Sequence, residues 1–273
     1  MKEQIVRAIE SVRASRPLVH SITNFVVMNV TANALLSAHA SPLMAHAIEE
    51  LDDLTDIDSA LVLNIGTLDA AWLESMELAG KLMRSKGKPV VLDPVGAGAS
   101  RLRTEASLRL LDMVRPQIVR GNASEIMALA SEIRRAERLP ATASSSTKGV
   151  DSLNDSRDAV DSALLLAERF GCVVSISGER DFVTDGEAVL VVEGGSPLMP
   201  LVTGMGCSAS AVTGAYAACA EPLAAAAAAM AVFASAGEKA GRLAKGPGTF
   251  LPHFLDELYA VDAEEAAERV KKI

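Results

Sequence analysis

Apolar and polar residues follow each other along the chain in blocks that predict strands followed by helices. Short apolar runs with the length of buried strands lie at 60–65, 89–92, 117–119 and 172–176. Segments with apolar residues at helical spacing lie between and beside them, at 69–86, 104–114, from the turn at 120–122 to about 138, and at 155–170. This alternation predicts an α/β fold, in which helices cover both faces of a mostly parallel central sheet.

The C-terminal third has a different pattern. Residues 182–192 read as a hairpin whose two-residue turn is Asp185-Gly186. Two alanine-rich helices are expected to begin at Cys207 and Pro222, and a last helix pair is expected to lead into a charged tail. Thr203-Gly204-Met205-Gly206 precedes the first of these two helices.

The stretch 139–150 is rich in alanine, serine and threonine and predicts a mobile loop. A linker between two domains would have a similar composition. Strands and helices continue unchanged beyond it, so we expect a single domain over 1–273.

Composition limits the partners. The chain has 26 Lys and Arg against 35 Asp and Glu, a net charge of −9, which disfavours nucleic acid and anionic membrane surfaces. Three cysteines without pairing-like spacing indicate reduced thiols and a cytoplasmic location. The apolar run between Glu221 and Glu238 is too short and too alanine-rich for the roughly 20 residues of a membrane span.

The carboxyl ends of parallel strands are where an α/β sheet places its ligands. Polar or glycine-rich loops follow the predicted strands at 64–67, 93–99, 120–122 and 177–179. The glycines at 204 and 206 add a loop that a ligand can approach closely, followed by the unpaired N–H groups of a helix. The sequence therefore predicts an anion site at 203–207, although Gly-x-Gly before an alanine-rich helix is also common in ordinary turns.

Candidate phosphate and metal residues each have a second interpretation. Arg120 could hold phosphate oxygens or make a surface ion pair. Glu125 could bind a metal or complete a capping box with Asn122, and the two uses are compatible. Asp93 could bind magnesium or water, or only shape a turn. Ser177 could be an ordinary turn hydroxyl.

Two further candidates are equally ambiguous. Asn24 could contact a substrate or cap the helix expected at 25–38. Met44, judged by its residue type alone, is a core residue.

Nine motifs, in this order, resemble those of hydroxyethylthiazole kinases and cover about residues 16 to 255. They are LVHSITN at 18–24, ASPLMA at 40–45, LVLNIGTL at 61–68, VVLDPVGAGA at 90–99, IVRGNASEI at 118–126, KGVDS at 148–152, ISGE at 176–179, VTGMGC at 202–207 and KGPGTF at 245–250.

The resemblance implies a ribokinase-like fold and a specific reaction. ATP would donate its γ-phosphoryl group to the hydroxyl of 4-methyl-5-(2-hydroxyethyl)thiazole, with Mg²⁺, in thiamine biosynthesis or salvage. It also implies a homotrimer with its sites at the subunit boundaries.

The matching motifs also imply roles for particular residues. Met44 and Gly204 resemble the thiazole pocket, with Asn24 close by, and Arg120 and Ser177 resemble the ATP-binding positions. The residues similar to those near magnesium and the phosphates are Asp93 and Glu125. Cys207 stands where most ribokinase-like small-molecule kinases have an aspartate base.

Other functions are compatible with parts of this pattern. The chain could phosphorylate a related alcohol such as hydroxymethylpyrimidine, or dehydrate a nucleotide cofactor, although cysteine at 207 speaks against both. It could also be a thiazole or nucleotide sensor without turnover. Retention of Arg120, Asp93, Glu125 and Gly204 argues against a sensor.

Overall fold

A computed structural model describes residues 1–139 and 152–273, without the side chains of 152–156. Within these residues, one nine-stranded sheet has the order β2-β1-β3-β4-β5-β6-β7-β8-β9. The strands are β1 Leu18–Ile22, β2 Ser41–Leu43, β3 Ala60–Asn64, β4 Val90–Asp93, β5 Ile118–Asn122, β6 Val173–Ser177, β7 Asp181–Thr184, β8 Val189–Val192 and β9 Val270–Lys272.

The strands from β2 to β6 in this order are parallel, and β7, β8 and β9 continue the sheet in antiparallel pairing. The central strands are buried along their length and consist mainly of valine, leucine and isoleucine, as expected for strands covered on both faces. The register places Asn64 beside Asp93 and Asn122 beside Ser177. Polar side chains from neighbouring strands therefore meet at the carboxyl edge of the sheet.

Helices pack on both faces, and each face has its own hydrophobic cluster. The helices are α1 Lys2–Ser15, α2 Met28–Ser37, α3 Leu51–Ile57, α4 Ala70–Ser85, α5 Arg101–Val114, α6 Ala123–Glu137, α7 Ser152–Phe170, α8 Met205–Ala217, α9 Pro222–Leu243, α10 Pro247–Tyr259 and α11 Ala263–Ala267. One cluster draws on α1, α2 and α8 to α11, and the other on α3 to α7. The predicted α/β fold is confirmed.

Small residues let the alanine-rich helices lie close to their neighbours. A Cβ added at Gly214 in α8 would lie 2.5 Å from Val62 of β3, so only glycine permits this approach of helix to sheet. Helix α9 is long and apolar enough to span a membrane, but 83% of its most apolar window is buried inside the protein. The expectation that this run is too short to span a membrane is therefore wrong, and it is burial that makes α9 a core helix.

Two details of the prediction are wrong. The hairpin connection spans 185–188, not two residues, because Asp185 Oδ1 accepts the N–H groups of both Glu187 and Ala188 and stabilises a wider turn. Helix α8 begins at Met205, two residues earlier than expected. The predicted charged tail follows the last helices and additionally forms β9, in which Lys271 makes an ion pair with Glu193.

The predicted mobile loop at 139–150 lies outside the described residues except for Leu139. One sheet nevertheless continues from the strands before this segment to those after it, since β5 pairs with β6 over five residue pairs.

Candidate functional site

The carboxyl edge of the sheet brings the candidate residues of three adjacent strands together. Asp93 is the last residue of β4, Arg120 lies in β5, and Ser177 is the last residue of β6. The N terminus of α8 lies against the same edge, because Arg120 reaches the carbonyl of Gly206. The predicted phosphate loop and the predicted strand-end residues thus belong to one site.

Asp93 is held at this edge by two hydrogen bonds. Asn64 Nδ2 and Ser210 Oγ both donate to Asp93 Oδ2, each at 2.7 Å, and the residue is 2% exposed. Burial, with a smaller contribution from the negative charge of Glu125, raises the pKa of Asp93 to about 6 against the lowering effect of Arg120 and of the two donors. Asp93 therefore contributes a side chain to the site and does more than shape a turn.

Glu125 forms the capping box that the sequence allowed. Its Oε2 accepts the N–H of Asn122 at 2.8 Å, while Asn122 Oδ1 accepts the N–H of Glu125 at 2.9 Å. The other oxygen accepts the N–H of Gly96 at 2.8 Å. The carboxylate consequently ties the loop after β4 to the start of α6 and lies close enough to Asp93 to affect its pKa.

Arg120 is buried beneath the loop at 203–207. It is 6% exposed, so the surface ion pair considered for it is wrong. One guanidinium nitrogen donates to the carbonyl of Gly206 at 3.0 Å, and another donates to Ser177 Oγ. Among the described residues, Nε has no partner. A buried cation with an unused donor is well suited to a phosphate group.

The N terminus of α8 has the geometry expected for close approach. Gly204 adopts a φ of +87°, and a Cβ there would lie 2.7 Å from the Val30 side chain of α2. The N–H of Ser208, bonded to the carbonyl of Gly204, makes the first hydrogen bond within the helix. The three preceding amides are therefore the free donors typical of a helix start.

Cys207 lies in the first turn of α8, between two parts of the site. Asn24 Nδ2 is 3.5 Å from its sulfur. Burial raises the pKa of the thiol, and the nearby charge of Asp93 raises it as well. The thiol is therefore less ionised here than it would be in water.

Asn24 belongs to this network and is not a helix cap. Its Nδ2 donates to Asn64 Oδ1 at 2.8 Å, and helix α2 begins only at Met28, with Val27 in the capping position. The structure thus contradicts the N-cap interpretation, because the Asn24 side chain binds the neighbouring strand end. The chain approaches it closely at Gly66, where a Cβ would lie 2.5 Å from Asn24 Nδ2.

Met44 follows the edge strand β2 and is partly buried against the core. It is therefore both a packing residue and available at the surface, which leaves its binding role a prediction. The other two thiols lie outside the site. Cys172 is buried before β6, and Cys219, which the apolar sequence around it predicts within a helix, lies in the turn after α8. Burial raises the pKa of Cys172 to about 12.

A cleft of about 710 Å³ opens on the Arg120 side of the α8 N terminus. Arg120, Ser177 and Gly206 form part of its polar wall, and Asp181, which accepts the N–H of Gly178, also lines it. Its apolar lining is Met199, Met205, Met230 and Phe233. The volume falls in the range of pockets that hold small organic ligands.

Sequence reasoning missed two residues that organise the site. Asn64 links Asn24 to Asp93, and Ser210 holds Asp93 from the first turns of α8. A polar residue that ends a buried strand was the available signal for Asn64. Nothing in the local pattern marks Ser210, whose partner is 117 residues away.

The fold is an α/β fold similar to that of ribokinase-like proteins. A ribokinase-like superfamily protein from Enterococcus faecalis aligns with a TM-score of 0.65 at 11% identity, covering 95% of this chain and 94% of that one. At this identity the similarity concerns the fold alone.

Closer comparisons identify the family. The profile of the hydroxyethylthiazole kinase family matches residues 9–264, so the chain belongs to that family. A hydroxyethylthiazole kinase from Nitratidesulfovibrio vulgaris is 53% identical over 270 residues, covering 98% of this chain and 97% of the relative. The structure of a hydroxyethylthiazole kinase protein from Pyrococcus horikoshii aligns with a TM-score of 0.88 at 41% identity, over 100% of both chains.

Replacement of Asp93 by asparagine should stabilise the fold at neutral pH. The folded-state pKa of about 6 exceeds the ordinary 3.8, so the Asp93 carboxyl costs stability progressively as the pH rises from about 3.8 to about 6, and the full cost remains above that pH. The introduced amide could still accept both hydrogen bonds through its carbonyl oxygen. Urea unfolding should show Asp93→Asn more stable by up to about 3 kcal/mol at pH 8, with the difference vanishing near pH 4.

The matched control is Asp53→Asn, which removes an exposed carboxylate of α3 and should change stability by less than about 0.5 kcal/mol. A gain for Asp93→Asn that is the same at pH 4 and pH 8 would contradict the electrostatic explanation.

Proposed function

We propose that the protein phosphorylates the hydroxyl of 4-methyl-5-(2-hydroxyethyl)thiazole with ATP, giving the thiazole phosphate and ADP in thiamine biosynthesis or salvage. Membership of the hydroxyethylthiazole kinase family supports the substrate pair. The observation that carries the proposal is the position of the α8 N terminus, with the cleft and Arg120 on one side and Asn24 on the other. Free amides between two binding regions suit a phosphoryl group in transfer.

The cleft on the Arg120 side is the proposed nucleotide site. Its apolar lining suits a base, while Arg120, Ser177 and the amides of Met205 to Cys207 suit the phosphates. The Gly206 carbonyl holds one guanidinium nitrogen in place, so the arginine needs little reordering when phosphate arrives. Positioning and charge neutralisation are what phosphoryl transfer mainly requires.

The opposite side is the proposed alcohol site. Asn24 is oriented by Asn64, and its amide points to Cys207. Gly204 packs against the side chains of α2, and Met44 is partly exposed after β2. An alcohol bound there would have its hydroxyl directed toward the phosphoryl group at the α8 N terminus.

Asp93 and Glu125 are the proposed magnesium residues. No group of three or more His, Cys, Asp or Glu side chains in the described ranges could hold a metal ion by itself. Two carboxylates fit Mg²⁺ nevertheless, because this ion is commonly bound by one or two carboxylates together with waters and substrate phosphates. Burial is the main cause of the raised pKa of Asp93, and the negative charge of Glu125 that adds to it also favours a cation beside the pair. Mg²⁺ would supply charge neutralisation for the transferred phosphoryl group.

We also propose a homotrimer in the cytoplasm, with the alcohol site at the subunit boundary. Phe25 and Val26 support it, since they lie next to Asn24 and are 62% and 65% exposed although apolar. Three unpaired thiols support a reducing compartment, which cell fractionation would check.

Sedimentation equilibrium should give three times the chain mass of 28.5 kDa. Phe25→Ser should shift the distribution toward smaller species, because it removes exposed apolar area, whereas Leu243→Ser, an exposed residue at the far end of α9, should not. A fully active monomer would contradict a shared site.

The decisive test of the reaction is ADP release over a panel of small heteroaromatic alcohols. Hydroxyethylthiazole should be the best acceptor, and omission of Mg²⁺ should abolish ADP release. Preference for hydroxymethylpyrimidine would overturn the proposed specificity. Binding of thiazole and ATP without any ADP release would favour the sensor interpretation.

Variants of Cys207 test how the hydroxyl proton leaves. The burial that raises the pKa of the Cys207 thiol would also raise the pKa of an aspartate at this position toward neutral pH. A carboxylate with such a pKa could accept the hydroxyl proton. Cys207→Asp should therefore keep or raise kcat at pH 7. Cys207→Ala should lower it only moderately, since Arg120 and the helix amides remain.

Steady-state rates at saturating ATP and thiazole compare the two variants, and Cys219→Ala, a thiol outside the site, is the control. If the aspartate variant were crippled relative to the alanine variant, the thiol would line the pocket without taking part in proton transfer.

A further inference from the structure

His20 and Asp58 form a buried pair that the proposed chemistry does not use. His20 lies in the middle of β1, Asp58 directly follows α3, and both side chains are 0% exposed. The imidazole Nδ1 is 2.7 Å from Asp58 Oδ2, and Nε2 is 2.9 Å from the carbonyl oxygen of Ala45. Both ring nitrogens therefore face oxygen acceptors.

These partners determine where the protons are. A backbone carbonyl only accepts hydrogen bonds, so the bond to Ala45 requires a proton on Nε2. One further proton must lie between Nδ1 and the carboxyl group. The other oxygen of Asp58 has no partner among the described residues, so the contact with His20 is what stabilises this buried acid.

The Ala45 carbonyl that His20 binds belongs to a segment that also contains Met44, a residue proposed to bind the substrate. Residues 44–47 have no regular secondary structure, and the three-residue strand before them lies at the edge of the sheet. Ser75 Oγ donates to the carbonyl of His46 at 2.6 Å, and the His46 ring lies 3.9 Å from the ring of Trp72. Side-chain contacts of this kind, including the one from His20, therefore fix the backbone next to Met44.

We propose that His20 is a positioning residue for the alcohol substrate. Its Nε2–H fixes the Ala45 carbonyl and thereby places Met44 at the alcohol site, and Asp58 keeps the ring oriented for this contact. The assignment rests on the proposed function, because Met44 is given to the alcohol there. His20 is not among the residues that line the cleft proposed for the nucleotide, so we expect it to affect binding of the alcohol and not of ATP.

Two replacements of His20 distinguish the two hydrogen bonds that its ring makes. The amide nitrogen of His20→Gln can take the position of Nε2 and keep the bond to Ala45, whereas that of His20→Asn can take the position of Nδ1 and keep only the bond to Asp58. Each variant loses one buried contact, so both should lower Tm. His20→Asn should raise KM for the thiazole roughly three- to tenfold, as expected for one lost hydrogen bond, and His20→Gln should not.

In both variants KM for ATP and kcat at saturation should stay within about twofold of the parent values, since the nucleotide contacts are untouched. A purely structural role predicts a different result, in which both variants change all three parameters in proportion to their loss of Tm. Equal thiazole KM values for the two variants would overturn the proposal.

Hydrogen exchange at the amides of 44–47 makes the test independent of the substrate. The amide protons of 44–47 should exchange faster in His20→Asn than in the parent protein, and at the parent rate in His20→Gln. If the parent enzyme does not phosphorylate the thiazole, the proposed function fails, while this exchange difference still decides whether His20 anchors the segment.

A measurement on the unmodified protein covers the case in which His20→Asn does not fold. Nitrogen NMR of ¹⁵N-labelled histidine should show a proton on Nε2 of His20, and saturating thiazole, but not ATP, should slow exchange across 44–47. An unprotonated Nε2 would overturn the proposal.

Discussion

The close approach of helix α8 to the sheet is the constraint on which the site depends. A side chain at Gly214 would collide with Val62, so the helix reaches this position only because its sheet-facing residues are small. The approach places Ser210 against Asp93 and brings the carbonyl of Gly206 to Arg120. The free amides at the start of the helix are thereby fixed over the strand ends. A larger residue at 214 would alter all of these contacts together.

The edge of the sheet concentrates buried polar groups that do not favour folding by themselves. Asp93 is charged at neutral pH only at a cost, as its pKa of about 6 shows, and Arg120 keeps a guanidinium nitrogen without a partner in the described part of the chain. Both features have a common explanation if bound ligands interact with these polar groups. A cation near the carboxylates and phosphate oxygens near the arginine would supply the missing partners.

The site also shows how a kinase could work with a thiol where related enzymes are expected to carry a carboxylate. Burial and Asp93 both disfavour the thiolate of Cys207, so the structure gives little support to proton removal before transfer begins. The amides of α8 and Arg120 remain in place irrespective of residue 207. In a loose transition state the hydroxyl proton can leave late, and the demand on a base is then small.

Sequence and tertiary structure determined different parts of this protein. Hydrophobic periodicity predicted the α/β fold and most helices. A helix buried on one face has apolar residues at helical spacing, and a strand buried on both faces is a continuous apolar run, so both leave a pattern within a short window of sequence. The ordered motifs indicated the family, which the comparisons confirm, and predicted candidate residues for the site. The Asn122–Glu125 capping box was also readable, since its two partners are three residues apart.

What the local pattern could not supply were contacts between distant residues. The link from Ser210 to Asp93 and the pairing of the C-terminal tail with β8 leave no mark within a short window of sequence. The same holds for Asn24, whose type suits a helix cap but whose amide instead binds Asn64 across the sheet edge. Local propensity describes what a residue can do, and the neighbours that the fold brings to it decide which of these interactions forms.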